Sequence, residues 1–221
     1  MCMNQPDPKL RKRGRPPKDP DALGSTRDKL LRAGVSILTE KGFSAVGIEE
    51  ILSTAGVPKG SFYHYFDNKE SFGLALIDSY AEYFNRKLSY WFERVDQSPL
   101  QRFRGFIADA REGMSRHDFR RGCLVGNLGQ EMGVLPESFR QRISGVFADW
   151  EARTADCLRA ACAAGEIPQG ADCNELAVFF WIGWEGAVLR AKLERNADAL
   201  DAFSQGFFKL LGAFPQATER R

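Results

Sequence analysis

The sequence predicts an all-α protein of nine helices, and three observations carry that prediction. Apolar residues recur at spacings of three and four along most of the chain. β-Branched alternating runs are scarce. Ser, Asn or Asp precedes most of the periodic segments, and Gly or Pro follows them. At 221 residues the chain has room for a small N-terminal head and one larger helical domain.

Ser25 or Thr26 opens the first helix, with Asp28 placed to close a capping box. Its stripe is Leu30, Leu31, Val35 and Leu38; Gly42 ends it and Phe43 packs back. A second helix over about 47–54 buries Ile48, Ile51 and Leu52. Gly56 makes the turn, and Pro58 suits the first position of a third helix, where a missing N–H costs nothing. Asn68 caps a long fourth helix reaching about Arg94. Ser98-Pro99 starts a fifth, to about Ser115, and a sixth follows Gly122 to about Met132. Pro136 opens a seventh with the stripe Phe139, Ile143, Val146, Phe147, Trp150, Thr154 and Leu158. Gly165 and Pro168 end it. Asp172 with Glu175 caps an eighth, and Asp198 is expected to cap a ninth ending near Leu211.

Composition narrows the function classes. Apolar residues make up 43% and charged residues 27%, an ordinary globular balance. No run approaches eighteen apolar residues, so no membrane span is expected. The basic N-terminus lacks an apolar core of the signal-peptide kind. The five cysteines (Cys2, Cys123, Cys157, Cys162, Cys173) are odd in number and form no CxxC pair, which points to free thiols in a cytoplasmic protein. The two histidines, His64 and His117, stand at no metal-ligand spacing, so no metal or other cofactor is expected. Nucleophile-elbow, P-loop and dinucleotide fingerprints are missing, and His117 beside Asp118 reads as a helix end, so an enzyme is not expected.

The charge is unevenly placed. Net charge is +2, but residues 1–70 carry 12 Lys and Arg against 9 Asp and Glu. Six of those cations lie in Lys9–Lys18 (KLRKRGRPPK) without one acid. Such a block reads as a disordered arm seeking phosphates, the alternative being a solvated tail. Residues 47–66 then read helix, glycine turn, helix. The second of these helices is polar on one face (Lys59, Gly60, Ser61, Tyr63, His64) and offers Phe62, Tyr65 and Phe66 to a core. A recognition helix needs that division: one side anchors it while the other presents donors to base edges and phosphates.

The segment Gly42 to Phe72, with IEEILSTAGVPKGSFYHYFDNKESF, resembles the signature of TetR-family repressors. The resemblance implies that Lys59, Gly60 and Ser61 face bases, and that Tyr63, His64 and Lys69 hold phosphates. Gly47 departs from it, standing where the family often has a capping threonine. Arg13-Gly14-Arg15-Pro16 resembles an AT-hook core, which implies that Arg13 and Arg15 lie along the minor groove. The implied organisation is a disordered basic arm over 1–23, a helix-turn-helix DNA-binding domain over 24–70, and a ligand-binding and dimerisation domain over 71–221. The implied partners are a second copy of the chain, palindromic operator DNA and a small inducer.

The aromatic helices bearing Trp150 and Phe179, Phe180, Trp181 and Trp184 are expected to meet their copies in a homodimer, or else to form only a monomer core. Arg120–Gly133 (RRGCLVGNLGQEMG) and Phe180–Glu194 (FWIGWEGAVLRAKLE) resemble acrylate-responsive members of the family, which implies a small unsaturated carboxylate as inducer. Such a ligand needs an apolar slot, for which Trp181 or Trp184 is a candidate, and a carboxylate holder, for which Asn127, Gln130, Arg190 and Lys192 are candidates. Arg190 equally suits a surface pair with Glu194. Cys123 follows Gly122 at a helix start beside Arg120 and Arg121. That placement lowers a thiol pKa and would suit an electrophile or redox sensor; the alternative is a small buried hydrophobe.

Overall fold

The computed structural model describes residues 25–213. The basic arm, with Arg13, Arg15 and Cys2, lies outside them. The described residues form nine α-helices and no strand: α1 (Thr26–Lys41), α2 (Ile48–Ala55), α3 (Lys59–Tyr65), α4 (Lys69–Phe92), α5 (Pro99–Ser115), α6 (Leu124–Gln130), α7 (Glu137–Ala163), α8 (Cys173–Glu194) and α9 (Asp198–Ala213).

Local chemistry sets most boundaries. Ser25 and Asp28 form a reciprocal capping box at α1, and Gly42 ends that helix at φ 88°, a backbone angle that suits glycine. Asn68 caps α4 by accepting from the Ser71 N–H at 2.8 Å. Asp172 accepts from the N–H groups of Asn174 and Glu175, both at 3.0 Å, to start α8. Two expected caps shift. Pro58 stands one residue before α3, at its N-cap, in extended backbone. At α9 it is the Asn196 side chain that accepts from the Asp198 N–H, so Asp198 is a first-turn residue and not the cap.

α1, α2 and α3 pack as a head around Leu30, Ile51, Phe62 and Phe66, all nearly or fully buried. Tyr65, expected in this core, is 39% exposed, because α3 is only seven residues long and Phe62 and Phe66 already fill the side facing α1. The long α4 joins head to body. Its first half buries Phe72, Gly73, Leu76 and Ile77, and its second half Phe84 and Leu88. Gly73 carries no side chain because the rings of Phe43 and Phe139 close over its α-carbon; a Cβ there would overlap both.

The body centres on an aromatic stack. Phe84, Trp150 and Trp181 sit with ring centroids 4.3 Å and 4.9 Å apart in succession. Both indoles of the stack are satisfied: Trp150 donates to Asn85 Oδ1 at 3.1 Å, and Trp181 to Thr154 Oγ1 at 3.0 Å. No described helix is long and apolar enough to cross a membrane.

Candidate DNA-binding face and regulatory cavity

The outer surface of α3 presents Lys59, Gly60, Tyr63 and His64 to solvent, with Ser61 half-buried. Open space lies beyond the α-carbon of Gly60, so the backbone there is free to approach a large partner. Lys59 Nζ pairs with Glu49 Oε1 of α2 at 2.7 Å, an exposed contact that holds the ammonium at the helix start. Lys69 is placed differently. Its ammonium turns inward to the Phe43 carbonyl at 2.6 Å, over the Phe43 ring, and burial lowers its pKa. Gly47 caps α2 without a side chain, and nothing fills the space where one would stand.

A cavity of about 590 Å³ opens between α1, α4, α5 and α8. Trp184 and Val188 of α8, Phe84 of α4 and Val35 of α1 supply apolar wall, while Arg32, Arg86, Lys87, Arg116 and Arg121 bring positive charge. Glu185 is the one carboxylic acid among the lining residues. Its side chain meets the Cys123 thiol, and the Tyr80 hydroxyl lies against the same thiol and the backbone of Leu124. Burial raises all three groups, Glu185 to about 7.

Of the residues singled out for a ligand, Trp184 and Cys123 line this cavity. Five others do not, each for a visible reason. Trp181 is fully buried one turn deeper, tied to Thr154. Gln130 is exposed at the end of α6. Arg190 faces outward and pairs with Glu194. Asn127 and Lys192 point at the head: the Asn127 amide donates to the Thr39 carbonyl at 2.9 Å, and Lys192 Nζ to the same oxygen at 3.0 Å. The Gly122 N–H is a third donor to it, at 3.3 Å. Thr39 lies in the last turn of α1, where carbonyls lack helical partners.

Cys123 differs from its sequence expectation. It is the N-cap of α6, its sulfur accepting from the Gly126 N–H at 3.4 Å. Burial and the neighbouring Glu185 push its thiol well above its ordinary value, which outweighs the helix start; Arg120 is exposed, and Arg121 lines the cavity with Cys123. Cys157, Cys162 and Cys173 are also free and buried.

Glu185 and Tyr80 were not singled out from the sequence. Glu185 had a signal: it is a lone acid inside the apolar run FFWIGWEGAVL. The opposite side of α8 is unusual too. Phe179, Ile182, Leu189 and Leu193 form an exposed stripe at helical spacing, with Ile182 69% and Leu193 73% exposed. A helix apolar on both sides is one that packs on both sides.

Comparison with known proteins places these features in a family. The description "Bacterial regulatory proteins, tetR family" matches residues 30–76, and "Tetracyclin repressor-like, C-terminal domain" matches residues 99–207. The chain is 55% identical to the Transcriptional regulator AcuR of Cereibacter sphaeroides, over 90% of this chain and 91% of that one. It is 30% identical to the HTH-type transcriptional repressor NemR of Escherichia coli, over 80% and 88%. The crystal structure of regulatory protein TetR from Rhodobacter sphaeroides superposes with a TM-score of 0.82 at 55% identity, covering 83% of this chain and 97% of that one. The chain thus belongs to the TetR family of transcriptional regulators, with α2 and α3 as its DNA-binding helix-turn-helix.

Proposed function

We propose that this protein is a homodimeric repressor whose two α3 helices hold a palindromic operator and whose cavity takes a small carboxylate inducer, acrylate or a close relative. The observation that carries the ligand reading is the cavity itself: apolar walls, five surrounding Lys and Arg side chains, and a polar inner end at Cys123, Tyr80 and Glu185. Anion and short carbon chain both find matching surface there. A three-carbon acid occupies only the inner end of such a volume. The resemblance of Arg120–Gly133 and Phe180–Glu194 to acrylate-responsive proteins supports the choice of acid. The exposed apolar stripe of α8 supports the dimer, since isologous packing covers it.

The two half-sites then lie about one DNA turn apart, roughly 34–36 Å. Lys59, Gly60 and Ser61 are assigned to base edges, Tyr63 and His64 to phosphates, and Arg13 and Arg15 to the flanking minor groove. Lys69 joins the phosphate contacts only after leaving the Phe43 carbonyl. Ligand binding shifts the population toward a dimer whose helices are wrongly spaced. The cavity wall reaches the head through the Thr39 carbonyl and through α4. Footprinting of the DNA upstream of the protein's own gene, paired with sedimentation of the free protein, tests this reading. Two protected half-sites and a dimer agree with it; a monomer, or protection without half-site symmetry, does not.

Covalent sensing through Cys123 is the second reading. The thiol's position in the cavity favours it, and its raised pKa opposes it.

A further inference from the structure

The carboxyl group of Glu185 is held in an unusual way. Its Oε1 is shielded from solvent and has no hydrogen-bond partner. The other oxygen presses onto the α-carbon of Gly126, so closely that a Cβ there would overlap it. The contact with the Cys123 thiol fixes the group further. An unsatisfied buried polar atom disfavours the folded state unless a partner reaches it. Glu185 also lines the cavity, so a modest turn of its side chain brings the unpartnered oxygen to a ligand that can supply the missing bond.

The titratable and charged groups of the cavity come from every wall. α4 contributes Tyr80, Arg86 and Lys87, and α1 contributes Arg32. The end of α5 and the following loop contribute Arg116, His117 and Arg121. Lys87 and Arg116 share Asp109, at 3.1 and 3.9 Å. The surroundings therefore favour an anion, but an ionised Glu185 would repel one.

Building on the inducer reading of this cavity, we propose that Glu185 is its specificity-determining residue: as a protonated acid it donates from its unpartnered oxygen to the carboxylate of a small monocarboxylic acid, so ligand and one proton enter together. The raised pKa of Glu185, about 7, makes the acid form available near neutrality. The bond formed is a charge-assisted O–H···O⁻ contact, stronger than a neutral one. The cationic walls attract the anion, and the proton removes the like-charge penalty at the inner end. Neutral amides of the same shape lose the charged half of this interaction.

Calorimetric titration of the full-length protein with acrylate and with propionate tests the proposal, between about pH 6 and pH 8.5 and in two buffers of different ionisation enthalpy. Both acids are ionised throughout, so any proton taken up belongs to the protein. The expected result is proton uptake that approaches one per site at the alkaline end. Affinity should fall about tenfold per pH unit above 7. E185Q keeps a donor but cannot titrate; it is expected to bind with a flat pH profile and no such uptake. Acrylamide is expected to bind more weakly than acrylate to the wild type. Binding of the acids with no proton uptake, or an identical pH slope in E185Q, overturns the proposal and leaves the inducer reading standing. If neither acid binds at any pH, the inducer reading fails and Glu185's role falls with it. The wild-type proton count decides the matter even if E185Q does not fold.

Discussion

The carboxylate of Glu131 accepts the backbone N–H groups of Phe43 and Ser44, each at 2.7 Å. Glu131 caps the end of α6, whereas Phe43 and Ser44 lie in the head just after α1. With the three donors from Gly122, Asn127 and Lys192 on the Thr39 carbonyl, it forms a polar latch between the cavity wall and the DNA-binding head. Cys123, which lines the cavity, is the residue after Gly122, so this wall is joined to α1 by hydrogen bonds as well as packing.

The latch is expected to carry coupling. The double variant N127A/K192M removes two of the three donors on Thr39. It should leave the affinity of the cavity for acrylate within about threefold but reduce the inducer's effect on DNA affinity, a coupling typically worth about 1–3 kcal/mol. Parallel calorimetry and DNA titrations check this. Unchanged coupling would show that α4 alone transmits the signal.

At the DNA face, Lys59→Ala should weaken operator binding by about 1–3 kcal/mol per half-site. E49Q is expected to do the opposite, raising affinity modestly, because it frees Lys59 from an exposed ion pair and removes an acid beside the recognition helix. Gel-shift titrations at fixed salt read both.

Gly126→Ala should disturb the cavity without touching any ligand directly. The new methyl group would occupy the position of Glu185's oxygen, so the carboxyl must move. Acrylate affinity is expected to drop at least tenfold while the helical content, read by circular dichroism, stays constant. Gly129→Ala, on the same helix but with open space around it, is the control and should be neutral or slightly stabilising.

Stability should also report on Glu185. Its folded pKa of about 7 stands above its ordinary value of 4.5. Between those values the folded state binds more protons than the unfolded one, so stability falls as pH rises from 4.5 through 7. The fully developed loss is of the order of 3 kcal/mol. Urea unfolding of wild type and E185Q across this window checks it: the wild type should lose stability with pH relative to the variant.

Much of the fold was legible because caps and glycines act locally. Ser25 with Asp28, Asn68, and Asp172 each satisfy N–H groups within three residues, and Gly42 and Gly56 take left-handed angles that their position in the pattern announces. The cavity was not legible in the same way. Asn127 and Lys192 read as ligand contacts because a polar side chain looks alike whether it meets a small molecule or a helix carbonyl. Their partner, Thr39, lies 88 and 153 residues away in sequence. Lys69 turns to Phe43 across 26 residues. For Cys123 the nearby arginines and helix start were visible, but the burial that outweighs them arises only when α8 brings Glu185 against it.

A small carboxylate is proposed to control DNA binding through the cavity. Fluorescence anisotropy of labelled upstream DNA with the full-length protein, at fixed salt and pH, tests it most directly with acrylate, propionate and acrylamide added in turn. Acrylate is expected to release the DNA, acrylamide to be much weaker, and Cys123→Ser still to respond to acrylate. DNA affinity unchanged by any of the three, or a response abolished by Cys123→Ser and equally strong with acrylamide, would contradict it.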